Sequence, residues 1–341
     1  MKNPAKPQSK RLLLILILAG LASAMSDCSG FVSDSLLLDK LVKGMQLSYL
    51  EKFDSANIVI DEVREEYPDS NLEFFSLAVF YSNMKHDEHY AGESEFRGRV
   101  GKLMGRLEDR EDRGCIAPEE KYILGMSYVY LALLEFDLGN SPFTILKHFR
   151  KGLGRLEDAS DDPKIGPEGM LGVGTYLYFK SAKAGVLRSI GIISDDRDKG
   201  IDMLRTSSEE SLFSQWPAWH GLLVAWTDME DFVRADSLLN FLMERDSTVK
   251  TIRWDGMMLE KAKGNPDGII QHGEYLLTRY NVPNYQNFTE VSAIVAEAYM
   301  EKGNTARAKE IAKEALSKEL DDRVRDRQTE FIDILNDIME D

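Results

Sequence analysis

The sequence predicts an all-α protein built from stacked helical hairpins, and three observations carry that expectation. Runs of β-branched residues in period-2 alternation, the mark of a half-buried strand, are nearly absent from the 341 residues. The ten prolines fall at element boundaries, where a missing N–H costs little. The stretch 295–316 reads as two short helices folded back on each other: Val295, Ala296 and Tyr299 mark one face, and Ala308, Ile311, Ala312 and Ala315 mark the other. Gly303-Asn304 breaks them apart, since both residues tolerate the left-handed backbone that ends a helix. Such a hairpin cannot bury its apolar face alone, so it predicts neighbours of the same kind.

Those neighbours can be followed along the chain. From residue 34 to 67, Leu37, Leu41, Gly44, Leu47 and Leu50 form one stripe, and Phe53, Ala56, Ile60 and Val63 form a second, with Pro68 closing the unit. Residues 71–112 give a helix with Leu72, Phe75, Ala78 and Val79, then a charged one with Phe96, Val100, Leu103 and Leu107. Residues 118–160 give a tyrosine-rich helix, a turn at Gly139-Asn140-Ser141 with Pro142 at a first helical position, and a second helix. The segment 161–209 departs most: Gly169, Gly172 and Gly174 precede Tyr176 and Tyr178 in a helix running to about residue 193, and another spans about 198–207. Residues 216–247 and 250–280 return to hairpin form. The end, 322–339, puts Val324, Phe331, Ile334, Leu335 and Ile338 on one side and charges on the other, as a capping helix should. The count is about seven hairpins plus a C-terminal cap.

Three of these units resemble the tetratricopeptide repeat. Gly44, Leu47, Phe53, Ala56 and Pro68 match its small, large, aromatic, alanine and proline positions. Ala296, Tyr299, Ala308 and Ala315 match in the same register, with Leu320 in place of the proline. Trp219, Leu222, Trp226, Phe232, Ala235, Leu239 and Leu242 supply the third, with Leu223 in place of the small residue and Ser247 in place of the proline. The resemblance implies a right-handed superhelical solenoid over 34–320, capped by 321–341, whose first helices line a concave groove. In that register Leu41, Met45 and Tyr49, then His220, Thr227 and Asp228, then Glu290, Glu297 and Glu301 face the groove.

Residues 1–24 have the three parts of a secretory signal: basic Lys2, Lys6, Lys10 and Arg11, an apolar run over 12–21, and Ala22-Ser23-Ala24. The run is short for a stable membrane span. A linker over 25–33 follows. Cys28 stands where exported bacterial lipoproteins carry their anchor, but Asp27 just before it breaks that pattern. The alternative is a disulfide with Cys115, the one other cysteine. Either way the expected location is the periplasm or cell envelope.

The formal net charge is −16. An acidic surface of that size repels phosphate backbones and argues against nucleic-acid binding. The glycines at 169, 172 and 174 lack the strand context and the Gly-Lys-Ser/Thr ending of nucleotide motifs, so close helix packing is expected of them. His86-Asp87-Glu88-His89 reads as a solvated turn rather than a metal cluster, and neither cysteine has the second ligand a zinc site needs. Neither metal nor cofactor is expected. The histidines at 148, 220 and 272 sit in no nucleophile motif. The expected function is an exported scaffold without chemistry of its own, binding a protein or peptide with a basic segment and touching membrane only through a lipid on Cys28. The alternatives are a small-molecule or polysaccharide carrier using Tyr176, Tyr178, Trp216 and Trp219, and an all-α hydrolase.

Overall fold

The computed structural model describes residues 35–67, 69–183, 195–280 and 284–340. Among these residues there are sixteen α-helices, one short 3-10 turn at Ser70–Leu72 and no strand. In chain order the helices are α1 (Ser35–Tyr49), α2 (Phe53–Glu66), α3 (Glu73–His86), α4 (Glu93–Asp112), α5 (Pro118–Asp137), α6 (Pro142–Ser160), α7 (Gly166–Lys183) and α8 (Arg197–Glu210). The second half holds α9 (Gln215–Asp228), α10 (Phe232–Arg245), α11 (Lys250–Ala262), α12 (Pro266–Arg279), α13 (Gln286–Glu301), α14 (Thr305–Leu316), α15 (Asp322–Arg327) and α16 (Thr329–Glu340). The leader at 1–24, the linker at 25–33, Cys28, Pro68 and the expected end of a helix over 184–193 lie outside the described residues.

Local chemistry accounts for the helix ends. Pro142 opens α6 at its first turn, where its missing N–H costs nothing. Pro118 does the same for α5, and the Glu120 carboxylate reaches back to the Ala117 N–H at 3.0 Å. Asp231 and Asn304 cap α10 and α14 through the N–H groups of Arg234 and Arg307. The expected single terminal helix is instead two, because Asp321 caps the short α15 and Gln328 separates it from α16. Val324, Leu335 and Ile338 are buried, as the amphipathic pattern requires.

From α1 to α14 each helix packs on its neighbour in sequence, α1, α3, α5, α7, α9 and α11 also pack each on the next of that series, and α16 packs on α13, α14 and α15. The buried apolar residues accordingly fall into four clusters that follow and overlap one another along the chain, from Leu37–Phe213 to Met257–Ile338. Glycines set the closest approaches. A Cβ on Gly44 would lie 2.6 Å from Ile60 Cδ1, so the Ile60 side chain of α2 packs directly on the α1 backbone. The expected close packing at Gly169, Gly172 and Gly174 is present. These residues lie inside α7 rather than before it, against Leu156 and Ser160 of α6 and Gly200 of α8.

Candidate interaction surface

The site begins with how the hairpins turn. After α1, α3, α5, α9, α11 and α13 the next residue but one adopts positive φ: Glu51, Glu88, Gly139, Glu230, Gly264 and Gly303. In each case the following N–H closes back on a carbonyl of the last helical turn, as Lys52 does to Leu47 and Asn304 to Tyr299. Glycine adopts this backbone freely, whereas a residue with a Cβ loses roughly 1–2 kcal/mol there. Three turns nonetheless use glutamate.

At two of them the side chain has a distant task. Glu51 Oε1 accepts the backbone N–H of Lys250 at 2.7 Å. The Glu88 carboxylate accepts the N–H groups of Gln286 at 2.8 Å and Asn287 at 3.2 Å, while Asn284 Nδ2 donates to the Glu88 carbonyl at 2.9 Å. Lys250 and Gln286 begin α11 and α13, whose own N-cap residues, Val249 and Tyr285, make no side-chain cap. The two orphaned helix starts are therefore capped from the opposite end of the chain. A third contact continues the series: the Arg327 guanidinium of α15 donates to the Asp137 carbonyl and lies 5.7 Å over the Phe136 ring.

Between the first two contacts lies a closed polar cluster. Lys250 is 3% exposed; its Nζ donates to the His86 carbonyl at 2.8 Å and sits 4.7 Å over the Tyr280 ring. Burial holds the Lys250 pKa below its ordinary value, against the pull of Glu51 and Glu88. His86 stacks edge-on to Phe53 at 5.0 Å, and burial lowers its pKa to about 4, aided by Lys250 and Arg279. Burial raises Glu88 to about 7 against the N–H groups of Asn287 and Gln286. Within 86–89, Asp87 and His89 are exposed, as a solvated turn requires, but Glu88 is 5% exposed and His86 is half-buried.

Beside this cluster opens a cleft of about 410 Å³. It lies between the α3–α4 turn (Glu88, Tyr90, Glu93), Asp137 at the end of α5, and the cap (Glu319, Asp321, Arg323, Arg327). Carboxylates outnumber cations along its walls. Asp137 accepts the Tyr81 hydroxyl at 2.6 Å and lies 3.6 Å from Lys85. Burial, then Asp137, pushes the Tyr90 phenol well up. No local pattern in the sequence flags this cleft, because its walls come from four separated stretches.

The residues expected to face a groove sit on α1, α9 and α13. Leu41 and Met45 are closed inside the N-terminal core, covered where α3 packs on α1, so neither presents a surface; Tyr49 is half-buried. On α9, His220 Nδ1 meets the buried Asp255 carboxylate at 2.7 Å and keeps about half of its side chain open to solvent. That carboxylate raises the His220 pKa over the opposing effect of burial. The Thr227 hydroxyl donates to the Leu223 carbonyl at 2.8 Å, and Asp228 accepts the Tyr178 hydroxyl at 2.7 Å. On α13, Glu301 is exposed, Glu297 is half-buried, and burial raises the Glu290 pKa. Tyr178 itself is buried, and its hydroxyl also donates to the Ala225 carbonyl at 3.0 Å.

No family model matches the chain, and no curated protein matches it. Among the described residues no helix is long and apolar enough to cross a membrane, and no group of three or more His, Cys, Asp or Glu side chains is placed to hold a metal.

Proposed function

We propose that this protein is an exported helical-repeat scaffold of the cell envelope, built like a tetratricopeptide protein, which binds a basic segment of another protein and performs no chemistry itself. In this reading the helices α1 to α14 form seven hairpins, with α15 and α16 as the cap. The odd-numbered helices line the inner face, which is the sense of their next-but-one packing. The turns of hairpins one, two and three touch α11, α13 and α15. That constant step of ten helices is what one full turn of a superhelix produces.

The observation that carries the reading is the acidic cleft at this seam. It is lined by Glu88, Glu93, Asp137, Glu319 and Asp321, with Glu297 and Glu301 on the adjoining helix α13. Apolar contacts would supply affinity for a basic segment, and the carboxylates would supply steering and register. The leader-like residues 1–24 support export.

The test is crosslinking to an envelope extract, followed by binding of the recovered partner to purified protein. Glu297→Lys with Glu301→Lys should weaken that binding about tenfold, and more at low salt. Unchanged affinity in this double variant and in Glu93→Lys with Glu319→Lys would sink the proposal.

A further inference from the structure

One surface runs against the charge of the whole chain. Residues 142–156 of α6 hold Lys147, Arg150, Lys151 and Arg155 and not one acid, in a protein of net charge −16. Arg155 is bound to Glu111 at 2.6 Å, and Lys151 Nζ lies 3.2 Å from the Tyr128 hydroxyl. Lys147 and Arg150 are exposed, and neither makes an ion pair among the described residues.

The same end of the α5–α6 hairpin carries exposed apolar side chains, although Arg327 of α15 covers one face of the Phe136 ring. Phe143 is 85% exposed, Phe136 58%, Leu146 43% and Leu133 38%. Antiparallel packing brings Gly125 of α5 against Gly152 of α6. Nine residues, or two and a half turns, separate Phe143 from Gly152, so Phe143 lies on the side of α6 turned away from α5. On α6 the spacing is i, i+3, i+4, i+7: Phe143, Leu146, Lys147 and Arg150 share one face. The apolar stripe continues inward through Phe149, Leu153 and Leu156, where α5 and α7 cover it. Its outer two turns have no cover.

We propose that this tip docks on an anionic lipid bilayer. A helix rises about 1.5 Å per residue, so Lys147 and Arg150 stand roughly 6 and 10 Å behind Phe143. Apolar faces of interfacial helices sink about 5–10 Å into the headgroup and acyl boundary. With Phe143 and Leu146 at that depth, the two cations meet the lipid phosphates, and the long Lys147 stem snorkels outward. An acidic protein partner fits less well. The apolar group protrudes instead of lining a groove. The inference rests on this hairpin alone, so its failure leaves the scaffold reading standing.

The experiment is co-sedimentation with vesicles of equal parts phosphatidylglycerol and phosphatidylcholine, and with phosphatidylcholine alone. It uses a chain starting at residue 25, which keeps every described contact because the described fold begins at Ser35. Binding to anionic vesicles should exceed binding to neutral ones by about tenfold in about 0.1 M salt, and should fall as salt rises. Phe143→Ser, and separately Lys147→Glu with Arg150→Glu, should each lower it about tenfold with unchanged helicity and melting temperature. These side chains are exposed, so the fold survives their replacement. The proposal is overturned if the parent protein ignores anionic vesicles, if it binds both vesicle types equally, or if the variants bind as the parent does. It is also overturned if the substitutions abolish only self-association or capture of an acidic protein.

Discussion

The carboxylate of Glu51 accepts the backbone N–H of Lys250 at 2.7 Å across 199 residues of chain. Glu88 repeats the arrangement with Gln286 across 198 residues. Both glutamates stand at positive φ, 59° and 52°. In both places a strained backbone is retained where its side chain caps a helix that lacks a cap of its own.

Glu230 separates strain from service. It has φ of 58° and is exposed, with no side-chain hydrogen bond among the described residues. Glu230→Gly should therefore raise stability by about 0.5–1 kcal/mol, the left-handed penalty less the added chain entropy of glycine. Glu88→Gly relieves the same strain but leaves two buried N–H groups of α13 unpaired, at about 1–3 kcal/mol. It should be a net loss. Urea unfolding of the two variants checks the opposite signs.

The closed cluster also predicts how stability follows pH. Glu88 is raised to about 7 in the fold, so the native state holds its proton more tightly than the unfolded chain does. Its contribution is full below the ordinary glutamate pKa and is lost as pH rises through about 7. His86 is lowered to about 4, so its contribution is present above the ordinary histidine range and is lost as pH falls through about 4. The two slopes oppose each other across the interval they share, in the company of Glu51, Asp87, Lys250, Arg279 and Tyr280. His86→Phe, which keeps the contact with Phe53, should make stability fall with rising pH. Glu88→Gln should make it rise. Melting temperatures across that interval decide the matter, and parallel profiles for the two variants would refute the assignment.

These features show where sequence reading stops. Gly303-Asn304, Phe232 with Ala235, and Gly139 ahead of Pro142 signal their hairpins within a few residues, because capping and close packing are local. Nothing near Glu51 or Glu88 announces a partner some two hundred residues away, and the polar composition of 86–89 points towards solvent. The helical spacing at Leu41 and Met45 marks an apolar face, but whether such a face is open or closed depends on the helices packed around it, and here both side chains are buried. The break at Gln328 was equally hidden, since the apolar spacing from Val324 to Ile338 continues across it.

Helix packing gives a paired prediction within α6. A Cβ on Gly152 would lie 2.6 Å from the Gly125 carbonyl oxygen, a backbone atom that cannot move aside without shifting α5. Gly152→Ala should cost about 1–3 kcal/mol through overpacking. Gly154, two residues on, has nothing within 4 Å of such a Cβ. Gly154→Ala should stabilise by about 1 kcal/mol through helix propensity alone. Thermal unfolding of the pair isolates packing from propensity, since both replacements are the same and lie in one helix.

The last prediction concerns Cys115, which follows the left-handed Gly114 between α4 and α5. Cys115 is disulfide-bonded, to a partner outside the described residues. The chain has two cysteines, so within one molecule the bond needs Cys28 as a thiol, and a lipid on that sulfur excludes it. The protein recovered from an oxidising compartment and denatured without reductant should therefore not react with iodoacetamide, and should take up two equivalents after reduction. A crosslink at the α4–α5 connection restricts the unfolded chain, so Cys115→Ser should lower stability by about 2–4 kcal/mol under oxidising conditions and have little effect under reducing ones. A chain that reacts at Cys115 before reduction, with an acyl-modified N-terminus by mass, would show instead that the cysteine anchors the protein.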